Sequence, residues 1–400
     1  MIHNAQVVKI DDLAQAKALF DQLGVAPEGV KILAPKALYF GVKLTGVPLR
    51  AANILKQNML VYGGDVAVSK EAYYLNAETT DLVILGTLKH FEQLCLSLND
   101  MQLDLPCIAE EIRETLVKYE SYAQVLRIGD VTFSLSECTV IMGILNVTPD
   151  SFADGGKHGS VEAAINHGLR MAEEGADIID VGGESTRPGA DSVGVEEELR
   201  RVIPVVEGLA ARADVPISID TYRHGVAERA IGAGASMVND ISGLRSDRKM
   251  ARLVADRNVP VVIMHMQGTP KNMQNEPEYK DVTGEIIGFL HEQTEYAIRE
   301  GVLRENIIID PGIGFGKNLD HNLRIMNRIS EFRSLGFPIL IGPSRKSFIG
   351  LTLDLPVEER LEGTAATVAY AIAQGANILR VHDIKEMVRV ARMADAMVRG

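Results

Sequence analysis

The sequence has no tryptophan, and aromatic residues make up only 5% of it. That scarcity disfavours an all-β fold, while the wealth of Ala, Val, Ile and Gly favours α/β. Cysteine is also sparse: Cys95, Cys107 and Cys138 match neither a zinc spacing nor a disulfide framework, which suits a reducing cytosol. All three are expected to pack as small hydrophobes. No apolar run reaches the ~18 residues of a membrane span. The N-terminal MIHNAQVVKIDDLAQ has no basic stretch followed by an apolar core. A cytoplasmic protein with no membrane partner is expected. Positive charge is in deficit, 41 Lys and Arg against 54 Asp and Glu for a formal net charge of −13, which argues against a nucleic-acid or anionic-membrane surface. It leaves room for an anionic small substrate, because a few cations focused in one cleft dominate the local potential.

Core material is plentiful, at 46% hydrophobic over 400 residues. An α/β barrel reaches about 250 residues as one unit, so one barrel plus an appendage is the natural starting point. From about Cys138 onward one theme repeats: a short β-branched run, a polar loop, then an amphipathic helix. Eight such runs occur, at 139–145, 177–181, 216–219, 236–238, 259–264, 306–309, 338–341 and 377–381. Helical patterns lie between them, among them 161–174, 195–212, 225–231, 281–300, 319–329 and 361–374. Eight parallel strands with right-handed crossovers close on themselves, so residues 121–400 are expected to form a (β/α)8 TIM barrel. An open doubly wound sheet is the runner-up, weakened because no strand precedes a Gly-rich dinucleotide fingerprint.

The runs 125–128 and 131–135 flank Gly129-Asp130 and read as a hairpin, expected to plug the bottom of the barrel. Residues 1–120 carry their own signals at 13–23, 51–61, 82–85, 89–98 and 107–119, consistent with a small accessory N-terminal α/β domain. With no charged or low-complexity linker after it, that domain is expected to dock on the barrel rather than be tethered.

In a parallel barrel the residues just past the strand C-termini converge on one mouth. Here they are polar. The first run leads into Asn146-Val147-Thr148-Pro149-Asp150-Ser151-Phe152, and the second into Gly183-Glu184-Ser185-Thr186-Arg187-Pro188. Later runs deliver Asp220, Asn239-Asp240, His265-Met266-Gln267, Asp310 to Lys317, Ser344-Arg345-Lys346 and Arg380-Val381-His382-Asp383. Arg187, Lys346, Arg380 and His382 are cations that suit a diphosphate, the last two after the eighth strand, where barrels often hold phosphate. Asp220, Asn239 and Asp310 suit a flat heterocycle, since a carboxylate accepts from both the ring N–H and the exocyclic amine of a guanidine-like edge. Singly, each has a plainer alternative. Asp220 or Asp310 could cap a helix, Arg380 could be a surface ion-pair partner, and His265, beside Met264 and Met266, reads as structural.

Taken in order, the segments NVTPDSF, GGESTRPGA, DPGIGFGK and GPSRKSFIG resemble the dihydropteroate synthase family across the whole barrel. The resemblance implies condensation of 6-hydroxymethyl-7,8-dihydropterin diphosphate with 4-aminobenzoate in folate biosynthesis, giving 7,8-dihydropteroate and diphosphate. It implies Asp220, Asn239, Asp310, Phe315 and Lys346 around the pterin, and Asn146, Arg187, Arg380 and His382 around the diphosphate. Thr148, Ser151, Phe152, Thr186 and Pro188 would surround the aminobenzoate, with Phe152 and Pro188 placed where sulfonamide mimics would press. Asn146 would ligate Mg²⁺, a homodimer is implied, and Lys346, Arg380 and Asp220 would act at the reaction centre. An aromatic amine is a competent neutral nucleophile, so the lack of a Ser-His-Asp or Cys-His set fits. The expected course is SN1-like, with C–O cleavage ahead of C–N formation.

Two other readings stand beside this one. A pterin-binding methyltransferase barrel would share the Asp/Asn ring-binding logic but need no diphosphate cluster, and a non-catalytic scaffold would keep only the barrel. Residues 54–68 (ILKQNMLVYGGDVAV) resemble stretches preceding the barrel in longer relatives of the family, which leaves a structural cap, a dimer contact or a second catalytic site open for the N-terminal region.

Overall fold

The computed structural model describes residues 4–74, 76–121, 124–147, 156–184 and 193–399, without the side chains of 156–160. The chain divides into two compact units, Met1–Glu120 and Ser121–Gly400.

The first unit holds three strands, β1 (Tyr39–Pro48), β2 (Asp65–Val68) and β3 (Thr79–Thr87), in an antiparallel sheet of order β1-β3-β2. β3 alternates exposed and buried residues, so one face of the sheet is apolar. Helices Leu49–Tyr62, Leu88–Leu98 and Leu105–Glu120 share a core with that face, in which Leu55, Met59, Ile84, Leu94 and Ile112 are fully buried. Helix Leu105–Glu120 buries Leu105, Ala109, Ile112 and Leu116, a helical stripe that leaves Cys107 outside it. Cys107 and Cys138 are in fact exposed, and only Cys95 packs as a buried hydrophobe, which corrects the expectation for the other two.

The second unit opens with the hairpin β4 (Val125–Ile128) and β5 (Val131–Ser134), turned at Gly129 with φ of +57°. Eight strands come next: β6 (Val140–Asn146), β7 (Ile178–Gly182), β8 (Ile217–Asp220), β9 (Met237–Asp240), β10 (Val261–Met264), β11 (Ile307–Asp310), β12 (Leu340–Ile341) and β13 (Ile378–Val381). All pair in parallel in the order β11-β10-β9-β8-β7-β6-β13-β12, and a bridge between Ile309 and Ile339 joins the two ends. The sheet is a nearly closed TIM barrel ringed by helices. Its strands are buried on both faces, which is why they read as continuous apolar runs.

Alternation along these strands separates two environments. Residues facing outward, such as Ile179, Ile219, Val238, Ile263 and Ile309, pack under the helices. Residues facing inward begin with an apolar layer of Met142, Ile178, Met237, Val262, Ile308, Leu340 and Ile378, joined by Leu126 and Ile128 of the hairpin. The hairpin thus fills the bottom of the barrel. Two residues further along their strands stand Asp180, Asn239, Asp310 and Arg380, which the period of two aims into the same interior, one layer nearer the mouth. Among the described residues no helix is long and apolar enough to cross a membrane.

The last helix is tied back to the first barrel strand. Asp395, in helix Ile384–Val398, accepts hydrogen bonds from the Thr139 backbone N–H at 2.8 Å and its hydroxyl at 2.7 Å, both buried. Asp395→Ala strands two buried donors and is expected to cost ~1–3 kcal/mol of stability. Urea unfolding should show a lower midpoint at unchanged slope.

Candidate active site

Asp180 at the middle of β7, Asp220 at the tip of β8, Asn239 in β9 and Arg380 in β13 form one hydrogen-bonded group. Arg380 Nε donates to Asp180 Oδ2 at 2.6 Å, and its Nη2 donates to Asp220 Oδ2 at 2.7 Å. Asn239 Nδ2 donates to the same Asp180 oxygen at 3.0 Å. Burial pushes the Asp220 carboxyl up to about 7; Arg380 opposes that rise, while Asp180, Glu198 and Asp240 reinforce it. Burial works against the Arg380 charge, but Asp180 and Asp220 outweigh it and hold its pKa above the ordinary value.

A second group comes from the ends of β11 and β12. Asp310 Oδ1 accepts from the Gly312 N–H at 2.7 Å, and burial raises its pKa against the pull of Lys346. Lys346 donates to the Ile313 carbonyl and lies 4.6 Å from the centre of the Phe315 ring, a cation–π contact. Burial brings its ammonium down to about 8, with Asp310 resisting. The two groups adjoin: a Cβ added to Gly342 would lie 3.7 Å from Arg380 Cβ and 3.9 Å from Lys346 Nζ. Beside the polar cluster Ile241, Met264, Met266 and Met273 pack with Tyr222 and Phe315 as an apolar wall. A flat polar heterocycle needs such a combination of wall and converging donors and acceptors.

The turn after β11 fits only as glycine at its tightest point. Gly312 has φ of +69°, and a Cβ there would stand 2.0 Å from the His265 carbonyl oxygen. Lys317, 2% exposed, anchors the other end of this turn by donating to the Phe315 carbonyl at 2.9 Å and bonding His265 Nδ1 at 3.0 Å. Burial and the neighbouring Lys317 hold His265 down at about 2, so its imidazole is neutral and serves as a packing and anchoring group.

Asn146 ends β6 half-buried, opposite Gly182 in register. Ser344 Oγ bonds His382 Nδ1 at 3.0 Å and accepts from the His382 N–H at 3.2 Å. Arg187, Thr148, Ser151, Phe152, Thr186 and Pro188 lie outside the described residues. The residues flanking 185–192 are nonetheless held by one side chain: Arg223 pairs with Glu184 at 2.7 Å and with buried Glu198, and donates to the Val193 carbonyl at 2.9 Å.

The structure departs from the expectation in two places. The sequence sorts the cations and the heterocycle-binding acids into two groups, yet Arg380 is interlocked with Asp220. Asp180, the hub of the cluster, sits inside an apolar run, where a search of the strand ends does not reach it. Its signal is the charge itself: an acid in the middle of a buried strand requires a partner.

The model of one family, the pterin binding enzymes, matches residues 142–382. The chain belongs to that family. A dihydropteroate synthase of Bacillus subtilis is 50% identical over 277 residues, 69% of this chain and 94% of that protein. A probable bifunctional folylpolyglutamate synthase/dihydropteroate synthase of Halobacterium salinarum is 39% identical over 397 residues, 98% of this chain but 47% of its own length, so the match runs through the N-terminal unit as well. Among solved structures, the Xanthomonas albilineans dihydropteroate synthase with 4-aminobenzoic acid superposes with a TM-score of 0.65 at 45% identity, covering 69% of this chain and 98% of that one. Within the family the activity is that of a dihydropteroate synthase, a transferase of the folate pathway.

The opposed shifts of Asp220 and Lys346 set a narrow pH window. Asp220 accepts from a ring N–H most strongly when ionised and Lys346 donates best when charged. For the pterin diphosphate, kcat/KM should therefore rise as pH climbs through about 7 and fall as it passes about 8. Steady-state rates across about pH 5.5–9.5 check this; a profile that lacks the acid limb removes the assignment of Asp220, and one that lacks the alkaline limb removes that of Lys346.

Proposed function

We propose that the barrel mouth binds 6-hydroxymethyl-7,8-dihydropterin diphosphate and 4-aminobenzoate together and joins them with loss of diphosphate. The observation that carries the reading is the convergence of buried Asp220, Asn239 and Asp310 with half-buried Lys346 and Arg380 from five strand ends into one cluster beside an apolar wall. On this reading the first four hold the pterin edge and Phe315 lines its face. Arg380 and His382, with Arg187 and Asn146, meet the diphosphate. Thr148, Ser151, Phe152, Thr186 and Pro188 surround the aminobenzoate.

The methylene C–O bond breaks first, and its electron pair leaves on the diphosphate oxygen. Positive charge left on the carbon is delocalised into the electron-rich ring, which Asp220 and Asp310 stabilise as buried anions. The amine lone pair then forms the C–N bond, and the nitrogen proton passes to solvent or to the departing phosphate. No general base is needed for an amine that is neutral at pH 7.

Mg²⁺ fits the donor set. Asn146 is a half-buried neutral oxygen donor at the end of β6. Such a donor suits an ion that takes one protein oxygen and otherwise waters and phosphate oxygens. When bound it supplies neutralisation of the diphosphate charge. Free cysteines suit a cytoplasmic setting. The exposed Tyr370, Met393 and Met397 on the last two helices favour a homodimer contact there.

Diphosphate release coupled to 4-aminobenzoate tests the reaction. Arg380→Ala should lower kcat about 10²- to 10³-fold, the effect of losing an electrostatic contact to developing charge. Added diphosphate should strengthen 4-aminobenzoate binding to the wild type in calorimetry. An Arg380→Ala enzyme with undiminished turnover would end the role given to this arginine.

A further inference from the structure

We infer that Asp180 is a positioning residue of this reaction: one buried carboxylate oxygen holds the Arg380 guanidinium and the Asn239 amide in fixed relation, setting the leaving-group end of the substrate against its ring end. The inference rests on the roles proposed above for Arg380 and Asn239.

The geometry carries it. Asp180 is fully buried, and its Oδ2 accepts from Arg380 Nε at 2.6 Å and from Asn239 Nδ2 at 3.0 Å. In the sheet order β9-β8-β7-β6-β13, its strand lies two places from the strand of Asn239 and two from that of Arg380. No backbone ladder connects those strands directly, and this oxygen joins a side chain of each. A carboxylate that served only to neutralise an arginine would meet it with both oxygens in parallel, the stronger arrangement. Here the guanidinium is divided between two acids, Nε on Asp180 and Nη2 on Asp220. Two contacts on different nitrogens fix its plane and leave Nη1 without a hydrogen bond among the described residues. The free edge is what an anion would take. Among the described residues Asp180 Oδ1 also has no partner, an unusual arrangement for a buried acid whose purpose was stability alone.

Asp180→Asn keeps the shape and an accepting oxygen while removing the charge. The expected result is a fall of ~10- to 100-fold in kcat/KM for the pterin diphosphate, the size seen when the outer partner of a binding group is lost. The KM for 4-aminobenzoate should stay unchanged. Asp180→Asn retains an oxygen for the Asn239 amide, so the lost charge acts through Arg380, and the double variant Asp180→Asn/Arg380→Ala should be no slower than Arg380→Ala alone. A further readout is electrostatic. Asp220 is faced by Arg380 from β13, Asp180 from β7, Glu198 from helix Val195–Ala210 and Asp240 from β9. Removing the Asp180 charge takes away one neighbour that raises the Asp220 pKa, so the acid limb of kcat/KM should move to lower pH. A residue that only supported the fold would lower the thermal midpoint, leave kcat/KM of the folded enzyme unchanged and show no coupling to Arg380. If Asp180→Asn is not recovered folded, Asp180→Ser carries the same measurements. Wild-type kcat/KM with an unmoved acid limb, or a double variant slowed by the full product of the two single effects, overturns the inference. The single Arg380→Ala variant separates the two levels: full activity there refutes the role of the arginine, whereas an impaired Arg380→Ala beside an unaffected Asp180→Asn refutes only that of Asp180.

Discussion

A single guanidinium shared between two buried carboxylates organises the mouth of this barrel. Charges taken out of water are strongly destabilising unless paired, and Arg380 is paired twice, with Asp180 and Asp220. With one cation for two anions, the cluster keeps excess negative charge. That imbalance, added to burial, is why the Asp220 carboxyl stands so far above the ordinary range. The neighbouring Lys346 and Asp310 repeat the theme, each shifted by burial and steadied by the other. The site is therefore poised near neutrality in both senses, with groups that hold or release protons close to pH 7.

The scaffold sustains such a cluster by isolating it. Below lies a dry layer of Met142, Ile178, Met237, Val262, Ile308 and Ile378, sealed by Leu126 and Ile128 from the hairpin. Around it lies the larger belt where the outward faces of the strands meet the helices. The polar groups thus occupy the one interior layer that opens upward, and rigid strand ends rather than loops carry most of them. Loops add the fine placement: the turn after β11 is pressed so closely on the His265 carbonyl that only glycine serves at position 312.

Much of this was legible in the residues. All eight barrel strands lie within or beside the β-branched runs that announced them, since strands buried on both faces have little choice but Val, Ile and Leu. Asp220, Asn239, Asp310, Lys346 and Arg380 stand at or just beyond the ends of those runs, where a barrel puts its chemistry. Asp180 could not be found that way, because it lies inside its run; only the penalty for burying its charge marked it. The N-terminal unit was harder. Its strand β1 alternates Val42, Leu44 and Val47 inward with Lys43 and Thr45 between them, too diluted by glycine to stand out, and helix Pro27–Ala37 was disguised by Pro35. The chemistry of the mouth was read as two separate camps of charge because sequence order says nothing about which side chains cross the barrel to meet.

The two-residue spacing between the apolar layer and the polar one has a further meaning for how such a protein can change over generations. Within a strand, replacing one residue alters one contact, but gaining or losing one residue turns every later side chain of that strand through to the opposite face. In β7 or β13 such a slip would swing Asp180 or Arg380 out beneath the helices and bring an aliphatic group to the mouth. Length before the reactive residue is thus as strictly inherited as the residue itself, and variation by insertion is left to the loops.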